Sequence, residues 1–255
     1  MQISPVVDHP ALRIFADEAI LCAGDLHIGL EDEMRSKGVV VPSQTERMLR
    51  ELKQLADGCE RLVLLGDVKH QVPGTSRQEY SELPRFFSEL CTTYSSVDLV
   101  RGNHDVGIED IGFTGVHIHP ASGFSLGDVG FIHGHIWPSD SVMSKGTLIM
   151  AHNHPAILFR DGVGHITIER CWLRCRLKED AYSYYSQIPS EVIVVPSMNR
   201  SLKGSPINIE EARHIGPLFA NSLIELEDSR VYLLDGIYLG TVGSLMVKGP
   251  NRYLD

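Results

Sequence analysis

The sequence predicts an α/β fold in which two β-sheets pack face to face, with helices outside the first. Three observations predict it. Short, nearly continuous apolar runs end in glycine, the mark of buried strands in a sheet covered on both faces. Helical patterns lie between these runs. Beyond about residue 115 the texture changes to strand-like pieces joined at Gly turns, with few helical signals.

In chain order, Ala19-Ile20-Leu21-Cys22-Ala23 leads into Gly24-Asp25, Leu62-Val63-Leu64-Leu65 into Gly66-Asp67, and Val97-Asp98-Leu99-Val100-Arg101 into Gly102-Asn103. Between the first two, Ser43-Gln44-Thr45-Glu46 predicts a capping box opening a helix, with Met48, Leu49, Leu52 and Leu55 on one stripe and Gly58 beyond its end. A second helix is predicted from about Arg77 to Leu90. Strand and helix in alternation imply βαβ units with right-handed crossovers. Ligands then gather at the carboxyl ends of the strands. The later strand candidates are 124–126, 129–132, 147–150, 156–159, 168–178, 191–196 and 230–234, with one short helix near Ile209 to His214. No repeat, low-complexity tract or clear linker interrupts residues 1–255, so a single domain is expected.

A hydrophobic content of 43% with 22% charged residues is that of a globular protein. No apolar run approaches the ~18 residues of a membrane span. The first ten residues lack a signal-peptide pattern, and a cytoplasmic location is expected. The net charge of −10 argues against the broad basic surface of a protein that lives on duplex DNA. Phosphate can still be bound within an acidic envelope by local cations and metal ions. The five cysteines are odd in number and irregular in spacing, which fits reduced thiols. Cys171 and Cys175, if on one strand, stand ~13 Å apart, too far for a disulfide.

Five short sites carry the chemistry: Gly24-Asp25-Leu26-His27, Gly66-Asp67, Gly102-Asn103-His104-Asp105, His133-Gly134-His135 and His152-Asn153-His154. Two divalent ions ~3.5–4 Å apart can clamp the attacking and leaving oxygens of a phosphoryl displacement. Such a pair needs a bridging carboxylate, flanking oxygen and nitrogen ligands, and open positions. Asp25 and His27, two residues apart in an extended loop, can turn toward one ion. Asp67, ending the neighbouring strand, can reach both. Asn103 offers a neutral carbonyl oxygen, and His133, His152 and His154 offer imidazoles. This donor set suits Mn²⁺, Fe or Zn²⁺ better than Mg²⁺.

The series Asp25-x-His27, Gly66-Asp67, Gly102-Asn103-His104-Asp105, His133 and His152-x-His154 resembles the calcineurin-like metallophosphoesterase superfamily. Gly66-Asp67-Val68-Lys69-His70 and His133-Gly134-His135 are similar to its small archaeal and bacterial members related to the SbcD nuclease, a branch that includes phosphoesterases encoded beside DNA ligases. Leu202 to Asn208 is similar to that branch too. The resemblance implies a four-layer αββα sandwich of two mixed sheets and two bound metal ions, with Mn²⁺ the leading candidate. It also implies hydrolysis of phosphodiesters, in nucleic acid or nucleotides, by a metal-bridging hydroxide. Asp25, His27 and His154 would hold one ion and Asn103, His133 and His152 the other, with Asp67 bridging. His104 would face the leaving oxygen, with Asp105 orienting its ring. His70, His135, Arg200 and Lys203 are the candidate substrate contacts. A phosphomonoesterase, or a non-catalytic scaffold of the same fold, are the alternatives.

Two positions depart from the pattern. Ala151 stands where the family usually has Gly, at a cost of about 1 kcal/mol if φ is positive there. Lys69-His70 stand where many relatives carry an acid or Asn. Finally, alternation along Ile168–Lys178 places Arg170, Trp172, Arg174, Arg176 and Lys178 on one strand face. That face could follow a nucleic-acid backbone, although a solvated face is commoner.

Overall fold

The computed structural model describes residues 1–210, 212 and 214–247. The first sheet has six strands in spatial order β1 (Gln2–Pro5), β2 (Leu12–Phe15), β3 (Ala19–Ala23), β4 (Arg61–Leu64), β5 (Ser96–Val100) and β6 (Val116–His119). β3 to β6 are parallel, and β1 and β2 add an antiparallel edge. α1 (Leu30–Ser36) and α2 (Thr45–Gln54) lie between β3 and β4, and α3 (Arg77–Thr93) between β4 and β5.

The second sheet has nine strands: β7 (Phe124–Leu126), β8 (Val129–Ile132), β9 (Thr147–Met150), β10 (Pro155–Arg160), β11 (Ile166–Cys175), β12 (Glu191–Val194), β13 (Ser205–Pro206), β14 (Arg230–Leu233) and β15 (Tyr238–Thr241). Its main path runs β13-β10-β11-β12-β9-β8-β7, mixed in direction, with β14 and β15 attached beside β11. The short helices α4 (Asp140–Met143) and α5 (Pro217–Ala220) complete the elements named here.

Period-2 alternation decides which core each strand residue enters. Leu21, Leu62, Leu64 and Leu99 point outward to Met48, Leu52, Phe86 and Phe87 of α2 and α3. Their neighbours Ile20, Cys22, Val63 and Leu65 point inward to Phe131, Ile149, Trp172 and Ile193 of the second sheet. On the far face, Leu148, Met150, Val192 and Val194 pack with Val142, Met143, Leu218 and Phe219 of α4 and α5. The layers are therefore helix, sheet, sheet and a thinner outer cover of short helices and loops, matching the expected sandwich.

Three local readings are corrected. The capping box belongs to α3, not α2: Ser76 accepts from the Glu79 N–H while the Glu79 side chain accepts from Ser76. At α2 the cap position is Gln44, and Glu46 pairs with Arg85 instead of turning back. The short helix expected near Ile209–His214 falls partly on Glu211 and Arg213, outside the described residues; Ala212 and His214 are not helical, and α5 begins at Pro217. The Trp-bearing face around β11 is solvated only in part, Arg176 being its exposed residue. Trp172 is 1% exposed in the core between the sheets, Arg170 donates to the Ser197 carbonyl, and Arg174 forms a two-pronged pair with Glu191. All five cysteines are free. Among the described residues no helix is long and apolar enough to cross a membrane.

Candidate metal centre

The predicted donors meet where both sheets end. Asp25 and His27 follow β3, Asp67 follows β4, Asn103 and His104 follow β5, His133 follows β8, and His152 and His154 lie between β9 and β10. Parallel pairing continues past the strands, since the Asp25 N–H donates to the Gly66 carbonyl and the His27 N–H to that of Asp67. Asp25, His27, Asp67, His152 and His154 all have φ between 43° and 70°. That left-handed conformation costs a non-glycine residue roughly 1–2 kcal/mol, less for Asp and His than for most. Five such residues at one place mark a site where function overrides local preference. Two glycines permit the close approach. A Cβ on Gly66 would lie 2.7 Å from the Gly102 nitrogen, and one on Gly102 2.2 Å from Asp67 Oδ1.

Two trios form. The ligand atoms of Asp25, His27 and His154 lie within 4.8 Å of one another, as do those of Asp67, His133 and His152. Asp67 touches both: its Oδ2 is 3.6 Å from His27 Nε2 and 3.3 Å from His133 Nε2. Asn103 Oδ1 sits 3.2 Å from His133 Nε2. The residues fit divalent ions by a second criterion. His27 Nε2 is buried without a hydrogen-bond partner, which costs about 1–3 kcal/mol unless something binds it, while Asp25 Oδ1 and His154 Nε2 are buried facing each other at 3.2 Å.

Electrostatics follow from crowding carboxylates and imidazoles in a buried place. Burial alone would raise the Asp25 pKa, but the facing His154 and His133 hold it below the usual carboxylate range. Asp67 is lowered for the same reason, against burial, by His133 and His27. Burial pushes His27 and His152 down to about 3, so both are neutral and available as ligands. His133 goes the other way, up to about 9, because Asp67 and Asp25 overcome the effect of burial. His154 is likewise raised, by Asp25.

The flanking residues divide. The His104 ring nitrogen Nδ1 meets the His70 carbonyl, and its backbone N–H donates to Asp67 Oδ1 at 2.8 Å. Asp105 does not orient that ring. It is fully buried and accepts from the N–H groups of Val68, Lys69 and Gly102, tying the Asp67 and Asn103 loops together. His70 is engaged behind His27: its Nδ1 is 3.1 Å from His27 Nδ1, and its Nε2 meets Glu33 of α1. The proton arrangement that leaves His27 Nε2 free has His27 donating to His70 and His70 donating to Glu33. His135 stands at the rim, its ring 5.2 Å from that of His133 and 6.0 Å from that of His152. Burial lowers its pKa to about 4. Arg200 pairs with Glu51, and Lys203 is exposed beside residues 164–168.

The loop carrying Arg200 and Lys203 instead supports the donors. Ser197 Oγ donates to the Asp25 carbonyl at 2.9 Å, Asn199 Nδ2 to that of Leu26 at 2.8 Å, and the Ser205 N–H to that of His154 at 2.7 Å. Nothing local in the sequence marks Ser197 or Glu33, whose partners lie far along the chain, and Asn199, in a loop expected to contact phosphate, binds the Leu26 carbonyl instead. Ala151 is not among the positive-φ residues, so its departure from glycine carries no strain.

Two trios of carboxylate and imidazole at the strand ends of a two-sheet sandwich define a metal-dependent hydrolytic centre. The family model for the calcineurin-like phosphoesterases matches residues 19–192, which include all seven expected ligands. The chain belongs to that family and is an enzyme that hydrolyses phosphate esters. Among solved structures, the Pseudomonas putida nuclease MPE is similar at 19% identity and a TM-score of 0.53, covering 93% of this chain and 100% of its own. Yfce, a phosphoesterase from E. coli, is similar at 17% identity and a TM-score of 0.40, covering 87% of this chain and 96% of its own. No curated protein matches the chain.

Proposed function

We propose that this chain is a phosphodiesterase that works with two divalent ions, Mn²⁺ foremost, on nucleic acid or nucleotide diesters. The observation that carries this reading is the pair of trios linked by Asp67, which touches a histidine of each, with His27 Nε2 buried and lacking a hydrogen-bond partner. The imidazoles left beside the donors, His104 and His135, suit the single charge of a diester. The similarity to a nuclease supports the same choice of substrate. Five free cysteines favour a reducing compartment such as the cytoplasm.

Bound at the trios, the ions would act as Lewis acids and lower the pKa of water, supplying a nucleophile near neutral pH. The chain's own residues do the rest. Asp67 fixes the spacing of the trios by touching a histidine of each. The His70 carbonyl only accepts, so His104 Nδ1 carries a proton and Nε2 is the nitrogen left for substrate. Protonated there, it gives its proton to the departing oxygen. Glu33 and His70 hold the His27 ring so that Nε2 faces the centre.

The test compares bis-p-nitrophenyl phosphate with p-nitrophenyl phosphate under Mn²⁺, alongside metal analysis. Preferred turnover of the diester with two ions per chain is expected. A preference for the monoester would move the assignment to a phosphomonoesterase.

A further inference from the structure

The chain has two tryptophans, and they lie in opposite surroundings. Trp172 is sealed in the core, whereas Trp137 is 39% exposed. Trp137 stacks on Tyr184, ring centroids 4.7 Å apart and planes 22° from parallel. Tyr184 is itself 51% exposed, with Ile136 at 40% and Tyr182 at 57% on adjoining segments. The pair is held from beneath by Tyr185, whose buried hydroxyl donates to the Pro138 carbonyl at 2.9 Å.

Its position gives this aromatic surface a meaning. Trp137 follows His135 by two residues, a span of at most about 7 Å. His135 in turn adjoins His133 and His152 of the second trio. Flat aromatic faces beside a phosphate-cleaving centre suit nucleobases, because every base has a π-face and stacking needs no particular sequence. A chain of net charge −10 gains little from a broad phosphate-binding surface, so stacking is the available source of affinity.

We propose that Trp137 and Tyr184 form a stacking platform for the nucleobase next to the phosphate being cleaved, so that the substrate is a nucleobase-bearing diester such as single-stranded nucleic acid. The proposal rests on the phosphodiesterase reading above. The experiment has two arms. In the first, the Mn²⁺-loaded chain hydrolyses thymidine 5′-(p-nitrophenyl phosphate) and methyl p-nitrophenyl phosphate, which share a leaving group and differ in the base. Trp137→Ala should raise KM for the nucleoside diester about tenfold or more and leave the methyl diester unchanged. Tyr184→Ala should act in the same direction, and Trp137→Phe should restore most of the loss. In the second arm, a phosphorothioate octathymidylate is titrated against tryptophan fluorescence, where Trp137 is the accessible reporter, and saturable quenching is expected. Equal KM changes on both diesters, or no change, overturn the platform. If the chain turns over neither diester, the phosphodiesterase reading has failed. The quench then decides the platform alone, and its absence overturns it. Loss of a dimer on Trp137→Ala, with KM unaltered for both diesters, would assign the patch to self-association instead.

Discussion

The two trios are built from the same residue types but differ in what they do without an ion. In the trio of Asp67, His133 and His152, His133 is fully buried and tied at both nitrogens, to the Leu65 carbonyl at 2.7 Å and to Asn103 at 3.2 Å. In the trio of Asp25, His27 and His154, the His27 Nε2 is buried with no hydrogen-bond partner, and Asp25 Oδ1 and His154 Nε2 face each other at 3.2 Å. The first is satisfied internally and must give up a proton to bind an ion. The second leaves His27 Nε2 unsatisfied and gains most there when an ion arrives. Asp67 couples them, being the carboxylate that touches both.

Asp67→Asn attacks both trios at once and should have the largest effect. Activity should fall by more than about a hundredfold and metal content below one ion per chain, both read on the same preparation. Loss of bound metal comes next. Chelation should lower the midpoint of thermal unfolding by about 5–10 °C, given ~2.7 kcal/mol from an ion at a hundred times its Kd. Asp25→Asn should remove most of that difference, because its trio holds the unpartnered His27 Nε2.

A pH series separates the trios further. His133 is raised to about 9, so in the ion-free chain its protonated form contributes stability that is fully present below about 6.5 and lost as pH rises through about 9. An ion needs the neutral ring. Metal affinity should therefore rise with pH, by up to about tenfold per unit between pH 6 and 8, and titration calorimetry should detect proton release. Replacing His133 should flatten the dependence more than replacing His27, which is already neutral. A smaller effect is expected at Glu33→Gln, which loosens the His70–His27 contact: about tenfold in metal affinity, with His104 chemistry intact. His104→Ala should slow turnover while both ions stay bound.

Much of this centre was legible in the sequence because its donors stand where apolar runs end. Ile20–Ala23 and Leu62–Leu65 announce strands, and Asp25 and Asp67 follow them directly. What stayed hidden depends on contacts made by distant segments. β1 and β2 are four-residue strands too short for a period to show. The alternation in β11 correctly separates Trp172 from Leu173, but residue type alone could not show that a second sheet covers the Trp172 side. Asp105 adjoins His104 in sequence and turns away to bind the backbone of Val68 and Lys69, a choice set by the Asp67 loop. Ser197 and Asn199 reach Asp25 and Leu26 across more than 170 residues of chain.

The measurement that tests the central claim most directly is the number of Mn²⁺ ions bound per chain, by equilibrium dialysis and elemental analysis, in the wild type and in three variants. Two ions are expected in the wild type, about one in His154→Ala and in His152→Ala, and fewer than one in Asp67→Asn. A wild-type chain that holds a single ion, or a His152→Ala chain that keeps both, would contradict it.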